Sequence, residues 1–279
     1  LDQEQILTIM EGYLKKAFKE TIGVDIQTPL RRMDYDVAMN EYGSDKPDTR
    51  FDLKLFDLSN TLKNSEFGGF KSAETIKGVT IPGVAKDTSR KVIDGLTLEA
   101  KKFGFGGIGV FKLENGVLSG SLVKFLSEEQ KAELVKVAKA NDGDIILVAS
   151  GAHDRVCFFL GSLRCKYARE LGYIKPNTYD LLWVVNFPLF EKKDDGTYNA
   201  LHHPFTRPTP ETAQYLDTDP SKVLSAAYDI VINGYEAGGG SLRIYDHDMQ
   251  QKIFKILGLT DEDIKRKFGF FVDAFNYGT

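Results

Sequence analysis

The chain has 279 residues, of which 42% are hydrophobic and 27% charged, and its net charge is -4. This composition is that of an ordinary globular protein, and the length suffices for one large domain or two smaller ones. The negative charge argues against nucleic-acid binding through a strongly basic overall surface, although a local basic patch is compatible with it. No long apolar run predicts a membrane span, and the start does not resemble a signal peptide.

The two cysteines, Cys157 and Cys165, fall in one predicted helix and are too far apart along it to form a disulfide. No CxxC spacing that would indicate a metal site occurs. This cysteine usage fits a reducing compartment. We therefore expect a cytoplasmic protein without membrane association.

The first 50 residues predict two helices and a loop. Apolar side chains at helical spacing predict an amphipathic helix over 1–22 that ends at Gly23. A second helix is predicted over 33–39, with Asp34 as its N-cap. The polar loop 42–50 carries charges of both signs, and fits either a solvated connection or a loop that contacts substrate or a nucleic-acid backbone.

Residues 51–172 alternate strands with helices and have the size of a separate domain. The predicted strands are 51–58, 74–81, 107–113 and 144–149, and the predicted helices are 89–103, 127–140 and 155–171. The segment has no His/Cys cluster, phosphate-binding loop or pair of acids at a telling spacing. The glycines of 104–109 are not followed by a helix, as phosphate binding would need. These features favour a binding or spacer module.

The last part of the chain begins with an apolar strand predicted over 180–191, followed by a turn at 192–196 that leads to the segment 198–201. The pair His202 and His203 comes next, without a third ligand at zinc spacing. The two side chains fit either turn or core histidines or a polar lid over a site. Helices are predicted over 248–257 and 261–268, the second ending at Gly269.

Residues 226–244 predict a β-hairpin that turns at Asn233–Gly234. In this register Asp229 and Glu236 are diagonal neighbours, about 7–8 Å apart, which suits a shared hydrated divalent cation. Gly238–Gly240 weaken the second strand and need a reason such as a bulge or a close ligand. One bulge residue would bring Arg243 to the acidic face. The alternative is a glycine-rich edge hairpin with solvated charges.

Several motifs, collinear over the whole chain, resemble the bacterial-type aspartyl-tRNA synthetases, a class II family. They are RMDYDVAMNEYGSDKPDTRFDL, SRKVID, KFLSEEQ, LLWVVNFPLFE, LHHPFT, AAYDIVINGYEAGGGSLRIYD and KFGFFVDAFNYGT. The resemblance implies an α+β fold class, in which a class II antiparallel-sheet catalytic domain is interrupted by an inserted GAD domain. Residues 51–172 would be the insertion, and residues 1–50 and 173–279 would be catalytic-domain segments.

The same resemblance implies ATP-dependent activation of L-aspartate to aspartyl-adenylate and transfer to the 3′ end of tRNA(Asp), with tRNA(Asn) as an open alternative. Asp229 and Glu236 would bind Mg²⁺ on ATP, and Arg243 would bind the side-chain carboxylate of aspartate. His202, with His203, would close over the aspartate, and Gly238–Gly240 would leave room for it. The family also implies a homodimer. None of these residues is assigned a catalytic role.

The family's motif 2 and motif 3 arginines, its anticodon-binding domain and its aspartate-binding lysine loop have no counterpart among these residues. We therefore expect a polypeptide of these 279 residues alone not to activate aspartate. Asn186 stands where the family usually has aspartate. The alternative function is an RNA- or protein-binding GAD-type module without catalysis, for which the HHPFT and GGGSLRI motifs would have no use.

Overall fold

The computed structural model describes residues 2–193 and 195–275, and only the backbone at 271 and 273–275. The chain forms two compact units. Unit 1 consists of Leu1–Asp36, Leu181–Ile232 and Glu236–Thr279, and unit 2 of Val37–Asp180 and Asn233–Tyr235. The α-helices are α1 (Gln3–Ile22), α2 (Tyr35–Val37), α3 (Ser59–Leu62), α4 (Gly68–Lys71), α5 (Arg90–Lys102), α6 (Glu128–Val137), α7 (His153–Glu170), α8 (His247–Ile256) and α9 (Asp261–Phe275). The strands are β1 (Arg31–Asp34), β2 (Leu55–Asp57), β3 (Thr75–Ile81), β4 (Gly109–Glu114), β5 (Val117–Ser119), β6 (Ile145–Gly151), β7 (Leu181–Val185), β8 (Phe190–Lys192), β9 (Tyr198–Ala200), β10 (Ala227–Ile232) and β11 (Tyr235–Ser241).

Unit 1 is built on a four-stranded sheet in the order β1-β7-β10-β11. β1 pairs with β7 in parallel and β10 pairs with β7 in antiparallel orientation. Helix α1 begins at a capping box between Asp2 and Gln5 and ends at Gly23 in the left-handed conformation. Its apolar face packs with the sheet in a core whose buried members are Leu7, Ile26, Leu30, Leu181, Trp183, Val185, Tyr228 and Ile230.

A buried carboxylate ties α1 to this sheet. Glu11 is 3% exposed, and it accepts hydrogen bonds from Arg32 Nη1 at 2.5 Å and from Trp183 Nε1 at 3.1 Å. Its charge is thus paired and hydrogen-bonded, as a buried carboxylate requires. These contacts fix the inner strand β7, beside which β10 lies.

Unit 2 is built on a five-stranded antiparallel sheet in the order β2-β3-β6-β4-β5. Alternate residues of β6 enter two different cores, because successive side chains of a strand point to opposite faces. Ile145, Leu147 and Ala149 lie in one core, with residues of α5 and α7. Ile146 and Val148 lie in the other, with residues of α3, α4 and α6. The sheet of unit 2 is therefore covered on both faces.

The two antiparallel-rich sheets and the packed helices confirm the α+β class. Two of the predicted elements are nevertheless wrong. The predicted helix 33–39 begins too early, because Arg31–Asp34 pairs with β7 as strand β1. The helical turn starts only at Tyr35 and continues as a π-helical turn over Ala38–Tyr42. The predicted strand 51–58 is reduced to β2, and β5, α3 and α4 were not predicted.

Two other segments end elsewhere than the pattern indicates. The predicted strand 180–191 is split, because Asn186 has a φ of 56° and ends β7. Its amide donates a hydrogen bond to Asp34 Oδ1 at 2.7 Å, which an aspartate at this position could not do. Helix α9 continues through Gly269, and Phe268 and Val272 pack on both sides of it against the core of Phe205, Phe254 and Ile264. This packing outweighs the roughly 1 kcal/mol cost of a helical glycine.

Residues 276–279, which end the last sequence motif, lie outside the described residues. In the described ranges, the helices lack the combination of length and apolar content that crossing a bilayer needs.

Candidate active site

The predicted hairpin is confirmed. Asn233 and Gly234 both have positive φ, 54° and 84°, and they join β10 to β11 as a two-residue turn. Turns of this kind match the twist of antiparallel strands. Asp229 therefore lies on β10 and Glu236 on the neighbouring strand β11, with Glu236 exposed.

The glycines of β11 are required by the strand beside them. A Cβ at Gly239 would clash with the Asp229 carboxylate, and a Cβ at Gly240 would lie 2.8 Å from the Tyr228 hydroxyl. At Gly238 a Cβ would meet only the Ile230 side chain, at an ordinary 3.7 Å. Gly239 and Gly240 thus make room for two side chains of β10, a reason that the glycine pattern alone does not reveal.

The HHPFT segment lies beside the segment that carries Arg243. Thr206 and Arg243 form an antiparallel bridge, flanked by hydrogen bonds from Arg207 N to Leu242 O at 2.9 Å and from Ile244 N to Phe205 O at 3.0 Å. These bonds bring together two motifs that are almost 40 residues apart in sequence. Arg243 lies past the end of β11, and this bridge positions it next to the histidines.

His202 is held next to Asp229. Its Nε2 lies 3.8 Å from Asp229 Oδ2, with the His202 side chain one-third exposed and that of Asp229 13% exposed. The imidazole packs edge-on against Phe187, with ring centroids 4.6 Å apart. Phe187 is 1% exposed, so its position is fixed by the surrounding core. The Asp229 carboxylate therefore lies between the His202 ring and the backbone of Gly239.

His203 is held in a form that favours the neutral imidazole. Its Nδ1 accepts a hydrogen bond from Phe205 N at 3.2 Å. Desolvation, and then the positive charge of Arg243, lower the pKa of His203 below its usual value. With Nδ1 as an acceptor, the remaining proton of the neutral ring lies on Nε2. His203 can therefore donate one hydrogen bond to an anion that approaches Arg243.

The Arg243 side chain is exposed, and it forms no hydrogen bond or ion pair with any residue in the described ranges. Its charge acts on His203 and on Tyr228, whose pKa is raised by burial and lowered to a smaller extent by Arg243. A guanidinium in this setting keeps its planar fork of donors available for a carboxylate or phosphate.

Gln250, on α8, was missed by the sequence reasoning. It is 4% exposed, and its Nε2 donates to Pro204 O at 2.9 Å, directly after the two histidines. Phe187 and Tyr228 were missed as well. All three contact the site through packing or a backbone carbonyl, and an amphipathic helix or apolar strand carries no signal that separates such residues from ordinary core positions.

In the part of the chain that the structure describes, no group of three or more His, Cys, Asp or Glu side chains could hold a metal ion. Asp229 and Glu236 are a pair on adjacent strands, which is fewer protein ligands than a structural metal site needs. A hydrated Mg²⁺, whose other ligands are water and phosphate, fits such a pair.

The model of the tRNA synthetases class II (D, K and N) matches residues 1–279. The chain belongs to this family. The resemblance inferred from the motifs is thereby confirmed.

Curated relatives of this class II chain include an aspartate–tRNA ligase of Halalkalibacterium halodurans, 44% identical over 284 residues, and one of Streptococcus pyogenes serotype M3, 44% identical over 279 residues. An aspartate–tRNA(Asp/Asn) ligase of Bacillus subtilis is 41% identical over 283 residues. Each alignment covers 100% of this chain and 48% of the relative, so the class II chain spans about half the length of these relatives.

Proposed function

We propose that these residues form part of the active site of an aspartate–tRNA ligase, which activates L-aspartate with ATP and transfers it to the 3′ end of tRNA. The observation that carries the proposal is the pairing of the HHPFT segment with the Arg243 segment. It brings His203 next to Arg243, a guanidinium without a carboxylate partner among the described residues. The sequence matches to aspartate–tRNA ligases support the same function.

Arg243 would bind the side-chain carboxylate of aspartate through two parallel N–H donors. His203 would donate its Nε2 proton to the same substrate, since its Nδ1 already accepts from Phe205 N. His202 would close over the substrate from its position on Phe187. Gln250 would hold the HHPFT segment in place by its hydrogen bond to the Pro204 carbonyl oxygen. Binding and orientation of this kind supply much of the rate acceleration in reactions that need little covalent help.

Asp229 and Glu236 would hold Mg²⁺ on the phosphates of ATP. The donor set fits, because both are carboxylates on adjacent strands and Gly239 leaves the space that the Asp229 carboxylate occupies. When bound, the ion would neutralise phosphate charge during attack by the aspartate carboxylate. Asp229 would also place its second oxygen near His202, 3.8 Å away, which links the nucleotide and amino-acid parts of the site.

We also propose that residues 51–172 are an inserted GAD-type domain, and that residues 1–50 and 173–279 are catalytic-domain segments. The five-stranded sheet with helices on both faces supports a separately packed insertion. The homodimer and the tRNA partners are carried over from the family resemblance. The name of the Bacillus subtilis relative includes both tRNA(Asp) and tRNA(Asn), so tRNA(Asn) is a second candidate substrate.

Arg243→Lys tests this function in a polypeptide of the relatives' full length that carries these residues (the full-length enzyme). Lysine keeps the charge but loses the fork, so the KM for aspartate in pyrophosphate–ATP exchange should rise and kcat/KM should fall by about 30-fold or more, the equivalent of about 2 kcal/mol. Arg266→Lys, a surface arginine paired with Asp263, is the matched control and should behave as wild type. Equal kinetics for the two variants would overturn the role of Arg243.

The 279 residues alone should show no aspartate-dependent pyrophosphate exchange, because the motif 2 and motif 3 arginines of the family are not among them. The control is the full-length enzyme assayed at the same concentration. Exchange by the 279-residue polypeptide above the background without aspartate would show that these residues suffice for adenylate formation, contrary to the proposal.

A further inference from the structure

Unit 2 contains a cavity of about 370 Å³ between the loop after the π-helical turn and helix α7. Among its lining residues are Lys46, Asp48 and Arg50 from the loop, and Arg164, Cys165 and Arg169 from the helix. The loop is the polar segment for which the sequence left two interpretations, a solvated connection or a contact with substrate or nucleic acid. The active-site proposal gives it no role.

Arg164 places a buried positive charge in the cavity wall. It is 0% exposed, and its guanidinium lies over the Phe51 ring, 4.2 Å from the centroid, and faces the Tyr42 ring at 5.1 Å. Its donors are satisfied by neutral acceptors, the carbonyl oxygens of Leu53 and Asp48 and the sulfur of Cys165. The hydrogen bonds of Arg164 are therefore made, but none of these acceptors cancels its charge.

The one acidic side chain that lines the cavity is already engaged by another arginine. Asp48 accepts from Arg50 Nε at 2.9 Å and from Arg50 Nη2 at 2.7 Å. This bidentate pair, together with burial, accounts for the pKa of Asp48: burial raises it, and the contacts with Arg50 bring it below its usual value. Asp48 thus forms its ion pair with Arg50, on which Asp180 also acts, whereas the mutual effect of Asp48 and Arg164 is smaller.

Two further cations lie at the opening of the cavity. Arg169 is exposed and uses Nε to bond Cys165 O at 3.1 Å, which leaves its terminal nitrogens at the surface. Lys46 is 44% exposed, with Asp45 3.6 Å away. The lining thus has four basic side chains, Lys46, Arg50, Arg164 and Arg169, and one acidic side chain, Asp48. Even with Asp45 paired to Lys46, these side chains carry a net positive charge, and a cavity of net positive charge attracts anions.

We propose that this cavity binds a phosphate group, either free or in an RNA backbone, with Lys46 and Arg169 at its opening and Arg164 beneath it. Arginine is suited to phosphate because its donors match two phosphate oxygens. All residues that line the cavity belong to unit 2, including Asn233–Tyr235 of the hairpin turn. None of them is among the residues proposed to bind aspartate or ATP, so the proposal does not depend on the proposed function.

Cys165 provides a local probe of occupancy. It lines the cavity and is partly exposed, whereas Cys157, the other cysteine of the chain, is buried. Alkylation of the two thiols by iodoacetamide can be followed separately by mass spectrometry. Burial raises the pKa of Cys165 and Arg164 lowers it to a smaller extent. A phosphate over Arg164 would both block access and weaken this support for the thiolate, so alkylation should slow.

The experiment uses the 279-residue chain with inorganic phosphate or a short RNA hairpin as the probe, and sodium chloride at equal ionic strength as the reference. At a probe concentration about ten times its Kd, mass action predicts that alkylation of Cys165 slows by about tenfold. Lys46→Ala combined with Arg169→Ala, two exposed positions, should abolish the protection. Lys136→Ala, which is 77% exposed on α6 and does not line the cavity, should preserve it.

Protection by phosphate alone would identify a free anion as the ligand, and protection by RNA, with or without phosphate, would identify the phosphodiester backbone. Absence of protection by both probes would overturn the proposal. It would equally be overturned if sodium chloride protected Cys165 as well as phosphate does, or if the protection persisted in the double variant.

Discussion

Two histidines, one in each unit, show opposite uses of charge. In unit 2, His153 at the start of α7 lies 2.9 Å from Asp154 Oδ1 and 3.0 Å from Asn40 Oδ1. The hydrogen bond to Asp154, with a smaller contribution from Cys157, raises the pKa of His153 to about 10. In unit 1, desolvation and Arg243 lower the pKa of His203. His153 is thus a cation with its own counter-ion, whereas His203 is a neutral ring next to a cation.

The positive charge of His153 stabilises the fold, whereas that of Arg243 is placed to bind a ligand. The charge of His153 is balanced within unit 2 by the adjacent carboxylate of Asp154. In the described residues, no carboxylate forms an ion pair with Arg243, and the histidine beside it gives up its own charge. The donors of Arg243 therefore stay available to an anion from outside the chain, and a neutral histidine beside them can donate to the same anion.

The largest expected stability effect comes from Glu11→Ala, which removes the acceptor shared by Arg32 and Trp183. Arg32 would keep its ion pair with Glu4, but the buried Trp183 Nε1 would lose its acceptor and Arg32 one of its two carboxylate partners. The free energy of unfolding of unit 1 should therefore fall by about 3 kcal/mol. Urea unfolding followed by the fluorescence of Trp183, the single tryptophan, measures it. Glu20→Ala, on the same helix but exposed, is the control; a similar loss there would mean that Glu11 has no special role.

Gly239→Ala tests whether the hairpin glycine beside Asp229 is needed to accommodate the Asp229 carboxylate. The new Cβ must displace the Asp229 carboxylate, which should cost about 1–3 kcal/mol and lower pyrophosphate exchange by the full-length enzyme. Gly238→Ala is the matched control for stability, because its Cβ would have ordinary contacts and replacing a strand glycine by alanine stabilises by up to about 1 kcal/mol. If the two variants lost stability alike, the glycine at 239 would not be there to accommodate Asp229.

Gln250→Leu should loosen the HHPFT segment without touching a substrate group. The Pro204 carbonyl would lose its donor, at a cost of about 1–2 kcal/mol, and the KM for aspartate should rise more than kcat falls. Gln251→Leu, its neighbour on α8, provides the comparison in the same exchange assay. An unchanged KM in Gln250→Leu would show that the loop is held by other contacts.

Elements of the fold that depend on a few neighbouring residues could be predicted from the sequence, whereas those that depend on distant contacts could not. The Asn233–Gly234 turn and the start of the helix predicted over 127–140 depend on a few adjacent residues, in the helix on the capping box at Ser127, and both elements were predicted. The first strand was missed because Arg31–Asp34 becomes extended by pairing with β7, about 150 residues away. Gly269 was taken as a helix end because its cost is local, whereas the compensating contacts of Phe268 come from Phe205 and Phe254.

The candidate site shows the same division. The sequence singled out His202, His203, Asp229, Glu236 and Arg243 as chemically telling, and the structure brings the HHPFT and Arg243 segments together. The sequence could not predict that Gly239 accommodates Asp229, or that Phe187 packs against His202. These facts depend on the register between strands and on packing between segments that are distant in sequence.

The stability of unit 2 should decrease as the pH rises, because of His153, and this effect should be smaller than those of the substitutions above. The pKa of His153 is raised from an ordinary value of 6.5 to about 10 in the folded chain, so its stabilisation is complete below pH 6.5 and is lost as the pH rises towards 10. His153→Gln should remove this part of the decline in Tm, followed by circular dichroism. His247→Gln, an exposed histidine 3.7 Å from Asp248, should not. Parallel Tm curves for wild type and His153→Gln would contradict the pairing with Asp154.

The smallest expected effect is a shift in one titration. Arg243→Gln removes a positive charge near His203, so the pKa of His203 should rise towards its ordinary value while that of His153 stays unchanged. NMR titration of the four histidine rings of the 279-residue chain measures both. A constant His203 pKa would show that Arg243 does not act on it.

Whether Arg243 binds the side-chain carboxylate of the substrate can be measured by substrate discrimination. Pyrophosphate exchange by the full-length enzyme is measured with L-aspartate and with L-asparagine, which replaces the carboxylate by a neutral amide, for wild type and Arg243→Gln. If Arg243 binds this carboxylate, the preference of Arg243→Gln for aspartate in kcat/KM should be about 100-fold lower than that of wild type, the equivalent of about 3 kcal/mol. An unchanged preference in an otherwise active variant would contradict it.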